Sequence, residues 1–258
     1  MAAQIQCPLC GNGDSRRRFT SYLRCTNCGL VFRTSIPSAA ELDHYYQSAW
    51  ASPQDAVDAT GATGPELAKA YTRKLSISLG RNDFKGVRIL DYGAGRGDML
   101  VAMRDLGAEV FGVEPYGHGN LEEQGIRTFR SIQDLPEDLE FNGILSTDVI
   151  EHVECPWRTV AELRQRLENT GWLYLATPNA DCLSARVLAG RWTQAANPGH
   201  LHLFSPNSMT LMLKQCGFRQ VRRLRWFVRY RVGLGRHLLH LHMQLLGLDG
   251  ELRFLAFG

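Results

Sequence analysis

The chain of 258 residues predicts an α/β protein: a doubly wound sheet preceded by a small cysteine-rich metal module. Three observations carry that expectation. From Glu66 onward, short apolar runs alternate with segments of helical period, the pattern of parallel strands joined by crossover helices. The first of these strands runs into a glycine loop, "ILDYGAGRGDML". Near the start, two CxxCG units give Cys7-x2-Cys10-x14-Cys25-x2-Cys28. The expected organisation is a metal module over residues 1–35, a connector over 36–65 and the α/β domain over 66–258.

In chain order, each CxxCG turn brings two thiolates to one side. Two such turns supply Cys7, Cys10, Cys25 and Cys28 as a tetrahedral set for zinc, a zinc ribbon. Four protein ligands close the site, so the expected role is structural. Seven cysteines, four of them in CxxC pairs, read as metal ligands in a reducing compartment; Cys155, Cys182 and Cys216 read as ordinary thiols. "SIPSAAELDHYYQSAW" has room for a short helix, and "ASPQDAVDATGATGPE" has linker composition.

"ELAKAYTRKLSISL" reads as a helix, "VRILDYG" as a buried strand, and "GDMLVAMRDLG" as a helix closed by Gly107. "EVFGVEP" and "FNGILSTD" follow as strands. "PWRTVAELRQRLENTG" opens on Pro156 and is expected to run as a helix to Gly171. "GWLYLATPN" is a strand. "SPNSMTLMLKQCGF" is a helix with Ser205 as cap, Pro206 at its first position and Gly217 as its stop. "RQVRRLRWFV" and "LRFLAF" read as late strands, the chain stopping at "FLAFG" directly after the second as if cut short.

Composition narrows the function classes. Apolar residues make up 44%, charged residues 21%, and the net charge is +3, too mild for a dedicated nucleic-acid binder. The opening residues lack a secretory signal, and "GLGRHLLHLHMQLLGL" is too short and polar to span a bilayer, so a cytoplasmic protein is expected. One local exception is the stretch from Arg219 to Arg236, with seven arginines and no acid. Leucines 234, 238, 241, 245 and 248, at its end and beyond, form a helical stripe. That stripe suits packing on the core or in a homodimer, or peripheral contact with an anionic membrane.

The glycine loop holds Gly93, Gly95 and Gly97 after Asp91 and Tyr92. Small residues there let the backbone approach a ligand at a helix N-terminus. The next strand ends in Glu114, 23 residues after Asp91, where an acid accepts hydrogen bonds from ribose hydroxyls. This set resembles the class I S-adenosylmethionine-dependent methyltransferases over residues 66–258. "DVIEHV", "LATPN" and "HLHLFSPNSMTLMLKQCGF" resemble in particular the ubiquinone-biosynthesis O-methyltransferases and their relatives in sugar pathways. The resemblance implies a Rossmann-like seven-stranded sheet and S-adenosyl-L-methionine as cofactor. It implies a cofactor site at Asp91, Tyr92, Gly93, Gly95, Gly97, Glu114 and Asp148, with Arg73 placed for the cofactor carboxylate.

"DVIEHV" also resembles the E-x-x-E-H segment in which ubiquinone-type enzymes bind a divalent ion. Asp148, Glu151 and His152 are then candidate magnesium ligands. Alternatives left open are a general base or substrate contact at His152, and a hydrogen-bonded network; Asp148 and His200 are further catalytic candidates. His200 reads equally as a packing residue, and His202 as structural. The expected acceptor is a small-molecule or sugar-like hydroxyl. Rival readings are an RNA methyltransferase with the ribbon as clamp, and a cofactor-binding module without turnover.

Overall fold

A computed structural model describes residues 5–51, 63–226, 242–243 and 245–258. The two cysteine turns build the first sheet. Gly11 N donates to the Cys7 carbonyl at 2.9 Å and Gly29 N to the Cys25 carbonyl at 3.1 Å. Strands β1 (Ser15–Phe19), β2 (Tyr22–Cys25) and β3 (Val31–Arg33) form an antiparallel meander. Cys7 Sγ lies 3.6 Å from Cys28 Sγ, and Cys10 Sγ 3.5 Å from Cys25 Sγ. Sulfurs on a tetrahedral zinc with bonds of about 2.3 Å stand roughly 3.8 Å apart. The four-cysteine set therefore fits zinc.

Helix α1 (Ala39–Ala51) starts from a box in which Ser38 N donates to Glu41 and Glu41 N donates to Ser38 Oγ. Helix α2 (Gly64–Leu79) leads into the large sheet. Its parallel part alternates strand and helix, with α4 and β6 added to the elements expected: β4 (Arg88–Tyr92), α3 (Asp98–Asp105), β5 (Glu109–Val113), α4 (His118–Glu123), β6 (Arg127–Phe129), β7 (Phe141–Thr147), α5 (Pro156–Gln165) and β8 (Leu167–Pro178). Short helices α6 (Leu183–Leu188) and α7 (Thr193–Ala196) lead to β9 (His202–Leu203), followed by α8 (Pro206–Gln215), β10 (Gln220–Arg223) and β11 (Glu251–Phe257). The seven strands lie in the order β10-β11-β8-β7-β4-β5-β6, with β11 antiparallel to both neighbours. β9 does not join them. It completes the small sheet, pairing with β3.

Both faces of the large sheet are apolar, as strand periodicity requires of a sheet covered on two sides. Ile89, Leu145, Trp172 and Tyr174 face the side covered by Leu75 of α2 and by Leu100 and Met103 of α3. Their neighbours Leu90, Ile144, Leu173 and Leu175 face Val160 and Leu163 of α5 and Met209 and Met212 of α8. On the α2 face, Arg253 is 1% exposed. It is neutralised by Glu251 and by Asp249, whose Oδ2 lies 3.5 Å away.

Three readings need correction. The helix from Pro156 ends at Gln165, not Gly171, because Leu167 already pairs with Phe141 as the first residue of β8. β6 was missed: three residues with an arginine carry no periodicity. The strand expected over "RQVRRLRWFV" is observed only as Gln220–Arg223; its last two residues, the linker at 52–62 and most of the leucine stripe lie outside the described residues. No helix among the described residues is long and apolar enough to cross a membrane.

The expected α8 cap is present. Ser208 N donates to Ser205 Oγ at 3.2 Å, and Ser205 Oγ also reaches the Cys28 carbonyl at 3.4 Å. Ser205→Ala is expected to lower stability by about 1 kcal/mol, measured by chemical denaturation, with Ser205→Asp recovering part of the loss.

Candidate active site

A cavity of about 690 Å³ opens where β4, β5 and β7 end. Its position follows from the topology: parallel strands end together, and their loops diverge to leave a crevice. Gly93, Gly95, Glu114, Tyr46, Tyr116 and His152 are among the residues that line it.

The glycine loop is shaped by close approach. Gly93 has φ 79°, and a Cβ there would lie 2.2 Å from Val149 Cγ2. Gly97 has φ 82°, and its Cβ would meet Leu121 at 2.5 Å. Gly97 is therefore a packing glycine outside the cavity lining, whereas Gly95 lines the cavity with open space at its Cβ position. Gly95 N donates to Glu114 Oε2 at 3.0 Å, while Tyr116 N and Gly117 N donate to Oε1 at 2.9 and 3.3 Å. Glu114 thus ties the glycine loop to the loop after β5. A carboxylate has about four lone-pair sites, so acceptor capacity remains for a ligand's hydroxyls. These features fit a nucleoside-bearing cofactor laid along bare backbone.

The other expected cofactor residues divide. Tyr92 lines the cavity; Asp91 lies buried beneath the loop, outside the lining. Burial and the neighbouring Glu114 push the Asp91 carboxyl up to about 7. Arg73 is not brought to the site. It is exposed on α2, where Ala68, Thr72, Leu75 and Ser76 take the buried face, and it lines a separate depression with Asp105.

"DVIEHV" forms a turn, not a helix. Asp148 N still bonds Ala176 O at 2.9 Å, but Asp148 takes φ 54°, a conformation Asp tolerates better than most residues. Asp148 is open to the cavity; crowding by protein and the Glu251 carboxylate push its pKa upward. Glu151 is fully buried, with Thr177 Oγ1 donating to Oε2 at 2.9 Å and Oε1 without a partner among the described residues. Burial and Asp148 raise its pKa well above the usual range, and a neutral acid tolerates such a place far better than a carboxylate.

The expected magnesium set therefore does not form. A helix would have aligned Asp148 with Glu151 and His152; the left-handed turn does not. Glu151 and His152 converge instead with His200, each bringing a ligand-capable atom within 4.8 Å of the others. One carboxyl and two imidazoles are not the oxygen-rich octahedral set magnesium takes, so these residues do not fit that ion.

The two histidines differ in what they leave free. His200 is buried, with Nδ1 2.9 Å from the Gln194 carbonyl and Nε2 3.2 Å from Asn197 Nδ2. Both nitrogens are occupied, and burial lowers its pKa to about 3. It builds the wall behind the cavity and does not line it, which removes it as a base facing the acceptor. His152 lines the cavity, and its Nδ1 lies 3.0 Å from both the Gly199 carbonyl and Tyr46 Oη. A carbonyl only accepts, so in the tautomer protonated at Nδ1 that nitrogen donates to Gly199 and Nε2 keeps its lone pair. Nothing among the described residues bonds Nε2, and burial lowers the His152 pKa.

Sequence reading passed over Tyr45, Tyr46, Tyr116 and Asn197. Tyr46 of α1 packs its ring 5.5 Å from Tyr116 and 5.7 Å from His152, and Tyr45 Oη donates to Asn197 Oδ1 at 2.9 Å. The available signal was the tyrosine pair Tyr45-Tyr46 in a segment with room for a short helix.

Known proteins share this fold. The profile of the methyltransferase-domain family matches residues 42–222. A ubiquinone biosynthesis O-methyltransferase of Dinoroseobacter shibae is 26% identical over 218 residues, covering 74% of this chain and 87% of that protein. A tRNA U34 carboxymethyltransferase of Trichlorobacter lovleyi is 30% identical over 150 residues, covering 53% and 46%. Among solved structures, the 1,6-didemethyltoxoflavin-N1-methyltransferase of Burkholderia thailandensis, with S-adenosylhomocysteine bound, superposes with a TM-score of 0.55 at 16% identity, over 91% of this chain and 97% of that one. With the family profile spanning well over half of its length and a glycine loop and acid suited to a nucleoside at its cavity, this chain belongs to the methyltransferase-domain family and is an S-adenosylmethionine-dependent methyltransferase.

Proposed function

We propose that the methyl group goes to a hydroxyl oxygen of a small-molecule or sugar-like acceptor, with His152 as the base. One observation carries this reading: His152 is an imidazole with Nδ1 tied to the Gly199 carbonyl and Nε2 unbonded, on the cavity wall. A hydroxyl is a poor nucleophile until its proton is drawn away, and a positioned imidazole near its working pH does this. S-adenosylmethionine supplies the activated methyl group when bound. Gly95 and Glu114 hold its nucleoside end. His152 Nε2 takes the acceptor proton as the oxygen bonds to the methyl carbon, and the carbon–sulfur electron pair leaves with S-adenosylhomocysteine. Tyr46 and Tyr116 offer aromatic faces for a ring to lie against. The zinc that Cys7, Cys10, Cys25 and Cys28 would hold has four protein ligands and would take no step in the reaction.

The RNA reading keeps specific support from the tRNA U34 carboxymethyltransferase relative and from a depression of about 360 Å³ lined by Arg16, Arg24 and Asn27 on the small sheet. RNA binding that weakens steeply as salt is raised would favour it. The exposed leucines at 245 and 246 are compatible with membrane or subunit contact, testable by vesicle co-sedimentation and by solution mass.

Glu114→Ala is expected to weaken S-adenosylhomocysteine binding by about 10- to 100-fold, the scale of hydrogen bonds to a charged group, read by calorimetry. In a screen of hydroxylated metabolites with methyl-labelled donor, His152→Ala is expected to lower turnover about 10²- to 10⁴-fold with donor affinity kept. Because burial lowers the His152 pKa, the acid limb of turnover is expected below the ordinary histidine value of about 6.5. Turnover independent of His152 would count against the base.

A further inference from the structure

The zinc ribbon does more than precede the catalytic domain in sequence. β3 pairs with β9 through Val31↔Leu203 and Phe32↔His202, and Arg33 N donates to the Leu201 carbonyl at 3.1 Å. Beyond this ladder Arg33 spreads its guanidinium over a turn of the catalytic domain. Nε donates to the His200 carbonyl at 2.8 Å and Nη2 to the Asn197 carbonyl at 2.9 Å. Tyr22 Oη donates to the same His200 carbonyl at 2.7 Å, and the Arg33 guanidinium lies 5.0 Å above the Tyr22 ring.

That turn sets the active-site imidazole. Asn197 Oδ1 accepts from Gly199 N at 2.8 Å and Asn197 Nδ2 meets His200 Nε2. The Gly199 carbonyl in turn receives His152 Nδ1. On the far side, Leu201 N and His202 N donate to the Glu151 carbonyl at 2.8 and 3.2 Å. Residues 197–202 are thus bonded to the ribbon on one side and to the His152 turn on the other. The donor half of the cavity, Gly93, Gly95 and Glu114, takes no described hydrogen bond from the ribbon.

We infer that Arg33 is a positioning residue for His152 and His200, and that the zinc-held ribbon sets the acceptor half of the site while leaving the donor half independent. The physical basis is twofold. A three-residue strand has no stability of its own, and β3 is cross-linked into its sheet by the thiolate set at Cys25 and Cys28. A planar fork can bridge two carbonyls at fixed spacing, whereas a lysine ammonium presents a point charge. The inference rests on the donor site proposed above, and its test separates the two.

The test uses the full zinc-loaded chain with ¹⁵N-labelled histidine rings, assigned through His152→Gln and His200→Gln. Ring ¹⁵N spectra report the tautomer and hydrogen bonding of each imidazole, and calorimetry with S-adenosylhomocysteine reports the donor half. Arg33→Gln and Arg33→Lys are expected to shift the His152 and His200 ring signals and leave S-adenosylhomocysteine affinity unchanged. Arg24→Gln removes the 2.5 Å ion pair from the same sheet to Asp181 and is expected to move neither ring. Chelation of wild-type protein should move both rings, with reversal when zinc is restored, a comparison that holds even if an Arg33 variant fails to fold. Unmoved rings in a folded Arg33→Gln protein, unmoved rings on chelation, or donor affinity falling in parallel would overturn the inference. If wild type does not bind S-adenosylhomocysteine, the donor reading fails and the ring shifts alone decide the role of Arg33.

Discussion

The hydrogen bond between His152 Nδ1 and the Gly199 carbonyl is the contact on which the account of the acceptor side depends. A proton on Nδ1 is used in this bond, and Nε2 is then left without a hydrogen-bond partner among the described residues. The carbonyl can do this only because its turn is held from several directions. Asn197 closes it from within, Arg33 and Tyr22 hold it from the small sheet, and the Glu151 carbonyl anchors it to the catalytic turn. A lone exposed histidine samples many rotamers. This one is wedged between Tyr46 and His200, with ring centroids 5.7 and 4.6 Å away.

The donor side obeys a different constraint. Around Gly93 and Gly95 the cavity offers mostly backbone, which suits a ligand that needs close approach more than side-chain variety. Val149, coming off the left-handed turn at Asp148, packs over Gly93 and leaves no room for a Cβ there. The same turn rolls Glu151 into the core. One strained residue, tolerated because aspartate adopts positive φ more readily than most, thereby shapes both halves of the cavity.

Much of this was legible in the sequence. Strand and helix periods placed the main elements, the CxxCG spacing placed the sulfurs, and the glycine loop with Glu114 placed one wall of the cavity. What was not legible depends on tertiary partners. The i, i+3, i+4 spacing of Asp148, Glu151 and His152 suggested a common helical face, but spacing cannot reveal a left-handed residue at the start. Arg73 had the right distance along the chain from Asp91 and the wrong face of α2. His200 looked like a base because its bonds to Gln194 and Asn197 cannot be read from composition. Tyr46 lay in a segment taken as a connector. Above all, β9 is a two-residue strand whose partner stands at the other end of the chain, so the union of ribbon and catalytic domain has no local signature.

The most direct test of the account is a crystal structure of the full chain with S-adenosylhomocysteine bound. The account predicts the ribose hydroxyls on Glu114, the homocysteine sulfur beside the Gly93–Gly95 backbone, and His152 Nε2 facing the side of the sulfur from which the methyl group departs. A ligand seated elsewhere, or a His152 ring turned so that Nε2 meets Gly199, would contradict it.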